Sequence, residues 1–182
     1  AMVGGCGIGA VRVVHGGDLQ EWLLKPTDVS WRLEPDRGGG SSAFADIGSH
    51  WCDLAQHVIG SPIVEVLADL ATVVPIRYRP EPFRVTSEDL ATILVRFENG
   101  ARGCATIGQV CAGHKNDLWI ELNAANASIR WRQEQQNELW IGRRDAANEL
   151  LATAPSAIAA GARAAARPPA AHPGGDARPR PT

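Results

Sequence analysis

The sequence predicts an α+β fold in which a mostly antiparallel sheet carries an amphipathic helix, and three observations predict it. First, Ala91, Ile93, Val95 and Phe97 alternate with Thr92, Leu94, Arg96 and Glu98, the period of a half-buried strand. That run ends in Asn99-Gly100, which tolerates the positive φ angles of a tight turn, and a second β-rich run, Ala101 to Val110, follows at once. Second, Leu118 to Leu122, Ser128 to Arg132 and Leu139 to Gly142 are strand-like and closely spaced, the pattern of an antiparallel meander. Third, a helical pattern lies between Gly38-Gly39-Gly40 and the stop at Gly60 with Pro62.

In chain order, Gly5-x-Gly7-x-x-Ala10 matches the dinucleotide fingerprint, but the motif works only between a strand and a helix. Only four residues precede Gly5, and Val11 to Gly17 is β-branched and glycine-ended, so this stretch is expected to lead into a strand. Asp18 to Leu24 reads as a short turn and strand, and Thr27 to Pro35 as a loop carrying Trp31-Arg32. After the helix, Ile63 to Val74 reads as one long strand and Thr86-Ser87-Glu88-Asp89 as a polar turn. Trp119, Trp131 and Trp140 fall in the later strands, where large aromatics point to a core or a subunit interface. The domain prediction is one unit over 1–151, followed by an Ala/Pro/Arg-rich tail over 152–182 with too few large apolar groups to offset its ordering entropy.

The composition narrows the function classes. A chain of 182 residues can bury one sizeable core. A net charge of −2 gives no electrostatic case for nucleic acid or an anionic membrane. There is no apolar run near the roughly 20 residues of a membrane span. The cysteines, Cys6, Cys52, Cys104 and Cys111, are scattered without a CxxC pair, which suits reduced thiols in a cytoplasm. The chain opens at Ala1-Met2-Val3 inside what already reads as a strand and turn, so it looks like a piece of something longer.

At about 100° per residue, Ile47, Trp51, Leu54, Ala55 and Val58 share one side of the helix, and Asp46, His50, Asp53 and His57 the other. The second stripe carries two imidazoles and two carboxylates with no Lys, Arg or Glu. A solvated face usually carries long flexible charges, whereas short acid–base groups beside a glycine loop suit the wall of a polar cleft.

The glycine loop, then Asp46-Ile47-Gly48-Ser49-His50, then Asp53 and a strand-rich region resemble the C-terminal domain of the Gfo/Idh/MocA family of oxidoreductases, the glucose–fructose oxidoreductase and inositol dehydrogenase relatives. Trp31-Arg32, Glu88-Asp89, Phe97-x-Asn99-Gly100 and Gly142-Arg143-Arg144-Asp145 extend the resemblance over roughly residues 4–150. It implies a large, mostly antiparallel, open-faced sheet with helices on one face; the tryptophans and the apolar alternation on those strands add the expectation of a homo-oligomer formed through that sheet. It also implies a sugar- or cyclitol-like substrate, and NAD or NADP bound in the complete enzyme by an N-terminal Rossmann domain that is absent from this chain. No cofactor is therefore expected to bind this chain alone, and no metal is assigned. By motif match His50 is the acid–base group for a substrate hydroxyl and Asp46 its support. Trp31, Arg32, Asp53 and, through a blurred Gly-His echo near the C-terminus, His172 are the substrate-contact candidates. The family's lysine belongs to a Glu-Lys-Pro motif in the Rossmann domain. Leu24-Lys25-Pro26 lacks the Glu and sits in the wrong place, so that role is not carried to Lys25. Cys6 stands where an acidic residue is common. The chemistry fits independently, since a histidine with a pKa near 6.5 suits proton removal from a secondary alcohol at neutral pH.

Two other readings share these residues. One is a metal site on Asp46, His50, Asp53 and His57, whose i, i+4, i+7, i+11 spacing suits helical ligands. The other is a non-catalytic association module built on the same sheet.

Overall fold

The computed structural model describes residues 7–152. Ten strands and two α-helices make an α+β unit, with an eight-stranded sheet at its centre. The strands are β1 (Val11–Leu19), β2 (Ile63–Ala71), β3 (Ile76–Arg79), β4 (Glu81–Arg84), β5 (Leu90–Phe97), β6 (Arg102–Gly108), β7 (Asp117–Ala124), β8 (Ala127–Arg132), β9 (Glu138–Arg143) and β10 (Glu149–Ala152). The sheet order is β10-β9-β8-β7-β1-β6-β5-β2, and β3 pairs only with β4. Every neighbouring pair is antiparallel except β1 with β6, which run parallel from Val13↔Arg102 to Leu19↔Gly108.

The β5–β6 hairpin and the β7-β8-β9 meander form where the alternation predicts them. The expected run of consecutive pairing breaks between β6 and β7, because β1 lies between them. A β-strand fed in from far along the sequence is invisible to local periodicity. Other boundaries move too. β1 runs on through Asp18 to Leu19, and β2 stops at Ala71. The Trp31-Arg32 segment is a 3₁₀ turn, Trp31–Leu33, leading into the one-turn helix α1 (Pro35–Gly38). The β3–β4 hairpin lies in a segment where Pro75, Pro80 and Pro82 obscure the strand signal, and β10 reaches Ala152, the first residue of the predicted tail.

The predicted helix is a π-helical turn, Phe44–Gly48, running directly into α2 (Ser49–Ile59). Its apolar side reads as expected: Ile47, Trp51, Ala55 and Ile59 are buried against Val14, Ile93, Val95, Phe97, Ile107, Ile120 and Leu122. Leu54 and Val58 pack at the margin of this core. Gly60 ends α2 in the left-handed region, φ 71°, with its N–H donating to the Gln56 carbonyl at 2.8 Å. α2 lies over β1 and β7 on one face of the sheet.

What lets α2 come so close is Gly16 of β1. A Cβ there would sit 1.9 Å from Trp51 Nε1 and 2.5 Å from the backbone oxygen of Trp119. The indole therefore occupies the space of the missing side chain, and Trp51 is fully buried.

A corner of buried polar groups anchors the loops beside the helix. Arg77, fully buried, donates through Nη1 to the carbonyls of Leu23, Lys25 and Asp28 at 2.9, 3.1 and 2.9 Å and pairs with Asp89 at 3.5 Å. Asp89 in turn accepts from the N–H groups of Val73 and Val74 at 2.6 and 2.9 Å. Leu23, Leu33 and Val85 form a small second core around this corner.

Gly16→Ala should lower stability by at least about 2 kcal/mol, because the added methyl has neither slack nor a flexible neighbour to displace. Gly40→Ala, which meets nothing within 4 Å, is the control and should shift the urea midpoint little.

Candidate active site

The C-terminal end of β1 and the polar side of α2 enclose an open cleft of about 670 Å³. Its wall holds Asp46 on the π turn and His50, Asp53 and His57 along α2, so the predicted polar stripe does face one cavity. His50, Asp53 and His57 are exposed, and Asp46 is half-buried. Arg32 reaches the same cleft from the 3₁₀ turn. Trp31 does not line it; the ring lies under Arg32, its centroid 4.7 Å from the guanidinium carbon, and borders a smaller neighbouring hollow. His172 and Cys6 lie outside the described residues, and Lys25 borders a separate hollow.

The turn that presents Asp46 is held by one carboxylate. Glu88 Oε1, on a buried side chain, accepts from Ser41 Oγ at 2.7 Å, Ser42 N–H at 3.0 Å and Phe44 N–H at 2.9 Å. These are donors at the entry to a helical segment with no intrahelical partner, and a carboxylate there satisfies them and complements the positive end of the backbone dipoles. Asp46 is then fixed on both sides. Its Oδ1 pairs with Arg32 Nε at 3.0 Å, and its Oδ2 accepts from Gln109 Nε2 at 2.9 Å. The carboxylate expected to support His50 is thus engaged by a guanidinium and an amide.

Sequence reasoning missed the floor. Val14, Gly16 and Asp18 alternate onto the helix-facing side of β1, and Gln20 extends the ladder by donating its N–H to the Gly108 carbonyl at 2.7 Å. Asp18 and Gln20 therefore end up in the cleft. The signal was available, since the period-two pattern that begins at Val14 continues past the glycines, but a turn was expected at Asp18. Gln20 is tied on both sides: Trp22 Nε1 donates to its Oε1, and its Nε2 donates to Asn116 Oδ1, each at 2.7 Å. Trp22 stands as an aromatic wall, its ring centroid 5.9 Å from the Arg32 guanidinium carbon. Asp18 is 2% exposed, and burial pushes its carboxyl up from 3.8 to about 6, against a smaller downward pull from His50.

Among the described residues no three His, Cys, Asp or Glu side chains converge as ligands would, and the Asp46 oxygens already have partners. Gly7 to Ala10 leads straight into β1, and its carbonyls at Ile8 and Ala10 accept from Asn126 and Ala125 N–H at 2.8 and 3.0 Å. A Cβ on Gly9 would meet Ala125 Cβ at 3.0 Å, so this glycine packs closely against the β7–β8 turn. Among the described residues no helix is long and apolar enough to cross a membrane.

A mostly antiparallel, eight-stranded sheet carrying α2 above a polar cleft is the architecture of a C-terminal domain found in a family of oxidoreductases. The chain belongs to the GFO/IDH/MocA family, whose C-terminal domain description matches residues 1–130. Levoglucosan dehydrogenase of Pseudarthrobacter phenanthrenivorans is 28% identical over 150 residues, 74% of this chain and 38% of that protein. Among solved structures, levoglucosan dehydrogenase in complex with NADH and levoglucosan matches with a TM-score of 0.77 and 28% identity over 85% of this chain and 42% of that one. An oxidoreductase domain protein from Kribbella flavida matches at 0.76 and 32%, covering 84% and 43% of the two chains. The chain thus spans about two fifths of the length of these relatives.

Asp18 makes stability depend on pH. Its folded pKa is raised above the unfolded value, so its contribution is complete below 3.8 and is lost as pH rises through about 6. Asp18→Asn should therefore gain on the wild type between about pH 4 and pH 7, by on the order of 2–3 kcal/mol, read as the difference in urea unfolding free energy at the two pH values.

Proposed function

We propose that this chain is the substrate-binding half of an NAD(P)-dependent dehydrogenase that oxidises a secondary alcohol of a sugar or cyclitol. The observation that carries the reading is the cleft itself, where the exposed imidazoles of His50 and His57 share a wall with Asp53 and face a set of hydrogen-bonding groups. Gln20, Asn116, Asp53 and Arg32 offer donors and acceptors at separate points, as a polyol requires, and Trp22 offers a flat apolar face for a sugar ring. The family membership and the printed ligands of the relatives, levoglucosan and L-sorbose, point to the same substrate class.

In this reading His50 is the acid–base residue. It takes the proton of the substrate hydroxyl during oxidation and returns it in the reverse direction, a task suited to an imidazole near neutral pH. Asp46, locked by Arg32 and Gln109, holds the guanidinium in place and presents a preorganised polar wall to the hydroxyls beside the reacting one. Asp53 is a candidate contact further along the same helix, and Trp31 acts only through Arg32. The nicotinamide, when bound to the complete enzyme, supplies the redox chemistry. The glycine segment here offers it no cradle, so the contribution of this chain is binding, orientation and the proton, and it should bind no dinucleotide by itself.

The second copy expected from the tryptophans and the apolar alternation of the strands would sit on the open face of the sheet. Leu67 and Leu94 are register partners there, 69% and 53% exposed, and Trp119 and Trp140 stand on the same face further along, beside Arg132 and Arg130. Exposed apolar side chains on a sheet whose other face is already covered are the usual ground for subunit contact.

Two measurements test these points. In the complete enzyme, or in an intact relative carrying residues 38–60 of this chain, His50→Asn should lower turnover by roughly a hundredfold or more. His57→Asn, about two helical turns further on, should change it little. Equal effects of the two would overturn the assignment. In sedimentation velocity at tens of micromolar the chain should run as an oligomer, and Leu94→Glu should return it to a monomer. A wild-type monomer would exclude the sheet interface.

A further inference from the structure

Three cysteines lie among the described residues, all free and half-buried, and they stand in different company. Cys52 packs at the margin of the main core, and Cys111 lies over Gly108, where an added Cβ would meet its Sγ at 2.8 Å. Burial pushes both thiols up from their ordinary value, which leaves them poor nucleophiles at neutral pH. Cys104 differs. On β6 it alternates with the buried Ala105 and Ile107, so it belongs to the open face of the sheet, opposite the face that α2 covers. There its Sγ lies 3.3 Å from Nδ1 of the exposed His15 on β1.

The pairing follows from register. β1 and β6 run parallel with His15 opposite Cys104, and β1 and β7 run antiparallel with His15 opposite Glu121. Three adjacent strands thus place a thiol, an imidazole and a carboxylate in one row across the sheet, at the strand spacing of about 4.8 Å. Glu121 is held in that row by the Arg130 guanidinium at 3.5 Å and the Asn123 amide at 3.2 Å. A nucleophile in contact with a base, with an anion on the base's other side, is the arrangement that converts a thiol to a thiolate. None of the three belongs to the core, so packing does not account for the row.

We propose that Cys104 is a site of covalent modification that takes small, soft electrophiles, with His15 as its base. In the step, the S–H proton passes to His15 Nδ1, and the sulfur electron pair forms the new bond to the electrophilic carbon or sulfur. The leaving group departs as an anion with the electron pair of the bond that breaks, so the electrophile is the only co-reactant. Leu94 is the register partner of Cys104 on β5, so an adduct stands on the face that a second copy would cover.

The test is alkylation of the whole chain by iodoacetamide, with the rate at each cysteine read by peptide mass spectrometry. It is run at sub-micromolar protein and again in Leu67→Lys, a charge on the same face two strands from Cys104 that keeps a second copy away. The outcome is therefore separate from that of the oligomer reading. Cys104 should label at least about tenfold faster than Cys52 and Cys111 at neutral pH. His15→Gln, at an exposed position, should slow Cys104 by about fivefold or more and leave the other two rates in place, and His15→Asn should repeat this. Equal rates at the three thiols, or a Cys104 rate that ignores both His15 variants, overturns the proposal. A thiol that owes its rate to exposure alone passes the first comparison and fails the second.

Discussion

The distance between α2 and the sheet is set by one contact, the indole of Trp51 lying over the bare backbone of Gly16. Everything about the cleft follows from that distance. His50 precedes Trp51 by one residue, and Asp18 follows Gly16 by two on the same face of β1. The indole and the glycine therefore set the gap between the helix that carries His50 and the strand that carries Asp18, as a hinge pin sets the gap between two plates. A strand with a larger residue at that position would lift the helix and widen the cleft at its base.

The second organising element is the Glu88-Asp89 pair at the start of β5. One carboxylate gathers Ser41, Ser42 and Phe44 and so aims the turn carrying Asp46. The adjacent one gathers Arg77, Val73 and Val74 and, through Arg77, the loop that follows Trp22. Two neighbouring residues on one strand end thus locate both the helical wall and the aromatic wall. Neither enters the cleft, and their value lies in satisfying backbone donors and carbonyls that would otherwise be buried alone.

Much of this was legible in the sequence, and the divide between what was and was not is physical. Periodicity identified β5, β6, β7, β8, β9 and the polar stripe of α2, because each is a local pattern of four to twelve residues. The Asp46-to-His50 motif falls on the helical segment that walls the cleft. The insertion of β1 between β6 and β7 left no trace, since pairing across some ninety residues has no local signature. The actual neighbours of Asp46 were hidden for the same reason: Gln109 is distant in sequence, and Arg32 was known only as a candidate contact. Asp18 was missed for a different reason. Two glycines beside an aspartate read as a turn, and only the tertiary contact with Trp51 explains why a strand runs through them.

The central, parallel placement of β1 has a consequence for how the molecule assembles. The β5–β6 hairpin and the β7-β8-β9-β10 meander can each zip from short connections, but they do not touch one another in the sheet. They become a single sheet only when the strand from the beginning of the chain slots between them, a closure over long loops that is entropically slow. That same strand carries Asp18 and leads into Gln20, so the floor of the cleft does not exist in either half alone. Ligand-binding competence should thus emerge in the last step of folding, and a ligand of this cleft would act as a clasp across the seam.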